Sequence, residues 1–190
     1  MQPQPILREV IAYLACSLDG YIAGPNGELD WLNAFDPPQR TDYGYGTFYR
    51  SVDTVIMGRK TYEEVMGFGV DWPYPDCKTY VMSRQTELSV ASPDTQLAGP
   101  ELMDQVRLWQ QEKGKNIWLC GGGEVIKSFL NAGLVDQLWL SLMPVTLGDG
   151  LRLFPGGFPQ THWELIELNQ YKGGVVGVRY VKQSKEKEKP

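Results

Sequence analysis

The chain has 190 residues, a net charge of −5, 42% hydrophobic and 22% charged content, which fits one globular domain with a buried core. The acidic balance argues against a general nucleic-acid binder, which needs a basic face to neutralise phosphates, and no apolar stretch approaches the length of a membrane span. Three cysteines far apart and one histidine, His162, leave no material for a disulfide framework, a His-rich metal site or a serine triad; with Met1 to Pro5 lacking a signal-peptide profile, the cytoplasm is expected.

The elements alternate along the chain. Residues 6–16 read as a strand with an almost wholly apolar interior, as expected where both faces are covered. A long loop follows over 17–31, punctuated by Pro25 and the turn pair Asn26-Gly27. Residues 41–51 suit a short helix capped by Thr41, with Gly44 and Gly46 against it. A strand over 53–57 leads into a helix over 60–66, then a Gly/Pro-rich connection over 67–76 and a strand over 78–82. Pro100 opens a helix whose apolar stripe is Leu102, Val106, Leu108 and Trp109, ending near Gly114. A strand over 116–120, three glycines, and a helix over 124–130 come next. Residues 136–145 form a strand that runs into the loop Leu147-Gly148-Asp149-Gly150, and 163–168 with 174–181 read as a closing antiparallel pair. The charged tail from 182 onward is expected to fray. Strands alternating with helices predict a single α/β domain over 1–182, its sheet mostly parallel with an antiparallel pair added at the end.

Gly121-Gly122-Gly123, between a strand and a helix, makes an anion site from backbone alone. Glycines let a phosphate approach the main chain, and the free N–H groups and positive dipole end of the helix meet it. No Gly-Lys-Ser/Thr follows, and Ile126 stands where a GxGxxG fingerprint needs its last glycine. A second strand-to-helix junction, Gly58-Arg59-Lys60-Thr61, lies upstream. In open α/β sheets ligands bind at the carboxyl ends of strands, which places both junctions on one rim. Two such junctions, one carrying Arg59, Lys60 and Thr61, suit a dinucleotide with several phosphates.

The segments 56–62, 81–84 and 118–125 resemble the cofactor motifs of the dihydrofolate reductase fold. The runs 17–23, 134–144 and 147–150 resemble more closely the reductases of riboflavin biosynthesis, the reductase portion of the bifunctional pyrimidine deaminase–reductase. This resemblance implies a sheet of about eight strands, NADPH as cofactor, and hydride transfer to a heterocycle or imine-like carbon. It assigns Arg59 and the Ser83-Arg84 pair to the 2′-phosphate, for which a guanidinium is suited by its planar fork. Thr61, Gly122, Gly123 and Glu124 match the pyrophosphate cradle, with Gly58, Lys60, Gly121 and Val125 in the same motifs and a cis peptide at Gly121-Gly122. Ala15 and Ile22 match positions that hold the nicotinamide carboxamide.

On the substrate side the resemblance implies one catalytic carboxylate at the start of the helix after the flexible loop, which binds the pteridine amidine and assists protonation. Counting back from Gly58 gives Asp42 and counting forward from Trp31 gives Asp36; both remain open, with Asp42 favoured in the first turn of the helix capped by Thr41. Ser141 matches a strand position lining the same pocket, and Trp31, Tyr45, Phe48 and Tyr49 are candidates for an aromatic wall against a flat ring. Arg40, Arg50 and Lys60 are the basic residues available to a ribose phosphate. Asp19 is read as shaping a turn, and the tryptophans at 109, 118, 139 and 163 as packing. Folate reduction and a non-catalytic nucleotide-binding module are the alternatives; a homodimer is expected by analogy.

Overall fold

Apolar strands alternate with amphipathic helices throughout the described residues (7–35, 42–85, 87, 89 and 92–183) of the computed structural model. In chain order they form β1 (Val10–Ser17), β2 (Tyr21–Ala23), a 3-10 segment (Asp30–Phe35), α1 (Tyr45–Arg50), β3 (Val52–Gly58), α2 (Arg59–Gly67), β4 (Lys78–Met82) and β5 (Thr95–Ala98). There follow α3 (Leu102–Trp109), β6 (Asn116–Gly121), α4 (Gly123–Asn131), β7 (Gln137–Met143), β8 (Leu151–Arg152), β9 (Trp163–Gln170) and β10 (Val176–Lys182). Eight strands make one sheet in the order β5-β4-β3-β6-β1-β7-β10-β9. The first six run parallel; β10 lies antiparallel between β7 and β9.

The central strands are apolar on both sides because both sides are covered. One face packs Phe48 of α1 and Tyr62 and Val65 of α2 against Ile11, Val55, Met57 and Trp118. The other packs Leu102 and Val106 of α3 and Ile126, Phe129 and Leu130 of α4 against Val10, Ala12, Ile56, Ile117 and Leu119. The three thiols belong to this interior: burial pushes Cys16 up to about 11 and Cys120 up to about 12, and raises Cys77 as well. No helix among the described residues is long and apolar enough to cross a membrane.

The parallel sheet and its antiparallel finish agree with the sequence reading, but three features differ from it. β5 is an edge strand of four residues, too short and mixed to register as a periodic run. β2 and β8 pair into a small second sheet inside segments read as loop. The helix expected from 41 begins at Tyr45, because Asp42 caps the turn before it: its two carboxylate oxygens accept the backbone N–H groups of Gly44 (3.0 Å) and Gly46 (3.1 Å). Thr41, the predicted cap, and the tail beyond 183 lie outside the described residues.

Asp19 does more than shape its own turn. Its carboxylate accepts the Ser17 hydroxyl (2.6 Å) and the backbone N–H groups of Leu147 (3.1 Å) and Gly148 (2.7 Å), pinning the loop after β1 to the loop after β7. The Ser17 hydrogen bond, followed by those from Gly148 and Leu147, holds the carboxyl down to about 2. A depressed folded-state value means that the clamp is fully present above the ordinary carboxylate range and is lost as pH falls through about 2. Asp19→Asn is expected to speed hydrogen exchange at the Leu147 and Gly148 amides at neutral pH; unchanged exchange there would show that the loops are held otherwise. In the core, Phe129→Ala removes a fully buried ring and is expected to cost about 3–5 kcal/mol in urea denaturation.

Candidate active site

Parallel β3 and β6 are neighbours, with Met57 opposite Gly121, so the two glycine junctions emerge side by side. Their helices then leave for opposite faces, α2 toward one core cluster and α4 toward the other. Such a reversal opens a crevice at the carboxyl ends of the strands. A Cβ placed on Gly58 would meet Val125 Cγ2 at 3.0 Å and come within 3.9 Å of the Gly122 nitrogen. Both nine-residue helices start at a glycine, Gly58 or Gly122, with no side-chain cap, leaving first-turn N–H groups open to an anion. A side chain on Gly122 would enter the gap between Thr61 Oγ1 (3.6 Å) and Ile22 Cδ1 (3.8 Å), and one on Gly123 would run into the Arg152 carbonyl. The Gly121-Gly122 peptide is cis, as the resemblance implied. Backbone donors, a hydroxyl and room reserved by glycine fit a pyrophosphate.

Arg59 stands at the start of α2, its Nε paired with Glu63 (2.6 Å) and its Nη1 donating to the Glu87 carbonyl (2.7 Å). That second bond ties the start of α2 to the segment after β4, which carries Ser83 and Arg84. Ser83 Oγ accepts the Gln85 N–H (2.9 Å), and Arg84 is exposed. Lys60 is exposed and Glu124 lies at the first turn of α4, 4.0 Å from Lys127.

Beside this rim, across β1 and β7, lies a cavity of about 320 Å³. Its floor is Tyr13 and Ala15 of β1 with Ser141 and Met143 of β7; Ala15 and Ser141 are register partners. Leu32 and Phe35 close it from the 3-10 segment, and Asp42, Tyr43 and Tyr45 from the start of α1. The amides of Gly44 and then Gly46 hold the Asp42 carboxyl below its ordinary range. It is therefore ionised at neutral pH and ready to accept N–H groups from a ring.

The structure brings Ala15, Ser141 and Asp42 into one cavity, and Ile22, Thr61 and Gly122 into the neighbouring cradle. Asp36 lies outside the described residues. The aromatic wall needs correction. Phe48 is fully buried and stacks on Tyr13 at 4.1 Å, so it supports the wall from behind and cannot touch a ligand. Tyr49 does not line the cavity; it stacks on Tyr45 at 5.7 Å, and its hydroxyl accepts the Asp76 N–H. Trp31 also stands off the lining, its buried indole N–H without a partner among the described residues, while its neighbours Leu32 and Phe35 face inward. Tyr13 and Met143 were missed. Their signal was period two: each lies two residues from an assigned position on the same strand face.

The family model of the RibD C-terminal domain matches residues 8–177. The chain is 37% identical over 175 residues to the uncharacterized protein YwjB of Bacillus subtilis, covering 92% of this chain and 98% of that one. Among solved structures, a candidate riboflavin-biosynthesis protein from Shewanella sp. PV-4 superposes with a TM-score of 0.84 at 29% identity, over 93% of this chain and 99% of the other. Dihydrofolate reductase of Enterococcus faecalis, in complex with NADP(H), shares the fold with a TM-score of 0.65 at 17% identity, over 95% and 100% of the two chains. The match over most of the chain and the shared architecture lead to one conclusion: the chain belongs to the RibD C-terminal domain family and has the fold of dihydrofolate reductase.

Proposed function

We propose that this protein is an NADPH-dependent reductase that delivers hydride to a pyrimidine- or pterin-linked substrate, in the manner of the riboflavin-biosynthesis reductases. One observation carries the reading: two uncapped helix starts meet at Gly58 and Gly122, directly beside the cavity floored by Ala15 and Ser141. A bound reduced nicotinamide would supply the hydride. The chain's own residues bind and orient. Thr61, Gly122, Gly123 and Glu124 hold the pyrophosphate, with Gly121 and Val125 shaping the cradle. Arg59 offers its remaining guanidinium hydrogens to a 2′-phosphate, joined by Lys60, Ser83 and Arg84. Ala15 and Ile22 place the carboxamide, while Asp42 and Ser141 orient the substrate ring in a cavity whose apolar walls exclude water. Edge strand β9 exposes Leu165, Ile166 and Leu168, which supports pairing of two copies of the chain.

Fluorescence titration is expected to show tighter binding of NADPH than of NADH. Arg59→Ala should erase about ten- to hundred-fold of that preference, the worth of one charge-assisted pair; an unchanged ratio would discard the phosphate assignment. In a screen following NADPH absorbance with 5-amino-6-(5-phosphoribosylamino)uracil and dihydrofolate, Asp42→Asn is expected to raise KM about ten-fold or more by removing an ionised acceptor. Failure of NADPH to bind at all would refute the reading.

A further inference from the structure

A second, smaller chamber of about 20 Å³ adjoins the substrate cavity and shares Tyr13, Tyr43 and Ser141 with it. Its origin is a run of register partners crossing four strands on one sheet face. Tyr13 of β1 lies opposite Trp139 of β7, Trp139 opposite Arg179 of β10, and Arg179 opposite Glu167 of β9. One step along, Ser141 lies opposite Gly177, and Gly177 opposite Asn169. Gly177 leaves room for the Tyr171 ring, since a Cβ there would meet Cε2 at 2.9 Å. Arg179 is fixed by stacking on Trp139 (3.6 Å to the ring centroid) and by pairing with Glu167 (2.7 Å), which also accepts Asn169 Nδ2 (2.6 Å).

The chamber has the size of one water molecule and polar groups enough to hold it. Tyr13 and Tyr171 line it, and neither hydroxyl has a hydrogen-bond partner among the described residues. Tyr43 is not available, because its hydroxyl donates to the Phe35 carbonyl. Asp42, across the cavity, is held ionised and has no proton to give. The Tyr13 ring is clamped between Phe48, stacked at 4.1 Å, and the edges of Trp118 and Trp139, so its hydroxyl is fixed in direction.

We infer that Tyr13 is the proton donor of the reduction, and that the small chamber holds the water that reprotonates it through Tyr171. The inference rests on the reductase reading and narrows its substrate class to compounds with a reducible C=N or C=O bond. The acceptor carbon gains the hydride, and the π pair of that bond moves to nitrogen or oxygen. That atom takes the Tyr13 proton. The phenolate recovers a proton from the chamber water, which regains one from the Tyr171 hydroxyl, and solvent resupplies Tyr171. Burial first, then Tyr171 and Asp42, push the Tyr13 phenol up to about 12 against the opposing pull of Arg179. The hydroxyl thus keeps its proton at neutral pH and gives it up only in concert with hydride arrival.

The test compares wild type, Tyr13→Phe and Tyr171→Phe with the two substrates named above, alongside NADPH binding by fluorescence and a high-resolution crystal structure of the wild-type protein. Phenylalanine keeps the ring packing, so a merely structural role for Tyr13 would survive it. Expected are an about 10²-fold loss of kcat or more in Tyr13→Phe at unchanged KM and NADPH affinity, a smaller loss in Tyr171→Phe, and one ordered water bridging the two hydroxyls. Wild-type kcat in Tyr13→Phe, or a dry chamber, overturns the inference while leaving the reductase reading intact. If NADPH binds but the wild-type protein reduces neither substrate, the reductase reading falls, and the proton donor with it.

Discussion

Everything that positions the site follows from β3 and β6 being hydrogen-bonded neighbours whose helices depart to opposite faces. A parallel strand must be followed by a crossover, and here the two crossovers diverge at one rim. Glycine at both turns lets the main chains come close enough for Gly58 to pack on Val125 and the Gly121-Gly122 peptide. Neither helix start is closed by a side chain, so the polarity of two helix ends is directed at one place. The rest of the molecule keeps that junction still. α2 is anchored by Tyr62 and Val65, α4 by Ile126, Phe129 and Leu130, on opposite faces of the same sheet.

The cavity is built by a different logic. Its floor comes from β1 and β7, strands fixed by long register, while its walls come from the irregular segment before β3. Aromatic rings mediate between the two. Phe48 carries no polar atom and sees no solvent, yet it sets the tilt of Tyr13 and the distance of α1 from the sheet. Asp42 performs two tasks with one carboxylate. It closes the turn that starts α1 and presents its remaining lone pairs to the cavity. Asp19 has a comparable place just past the carboxyl end of β1, where it joins two loops that flank the rim.

The fold was legible because its signals are local and periodic: two-sided apolar strands, glycines at strand ends, and on α3 the buried Leu102 and Val106, although Leu108 of the expected stripe is exposed. The cradle was legible for the same reason, since Gly58-Arg59 and Gly121-Gly122 announce a backbone arrangement in consecutive residues. The cavity wall was not. Phe48 and Tyr49 are adjacent in a short helix, and only the packing of that helix decides that Tyr45 faces the cavity while Phe48 faces the core. Arg179 was invisible, because its importance lies in partners on β7 and β9 that register alone brings to it. β5 escaped notice because four residues at a sheet edge are specified by their neighbour β4 rather than by their own pattern.

The three thiols bear on the conditions under which such a site can work. Each is withdrawn into the interior and held in its protonated form by the apolar surroundings. Peroxides and alkylating reagents attack the thiolate, which these environments suppress. A protein so constructed keeps its thiols, and the packing around them, out of reach of reagents that need a thiolate.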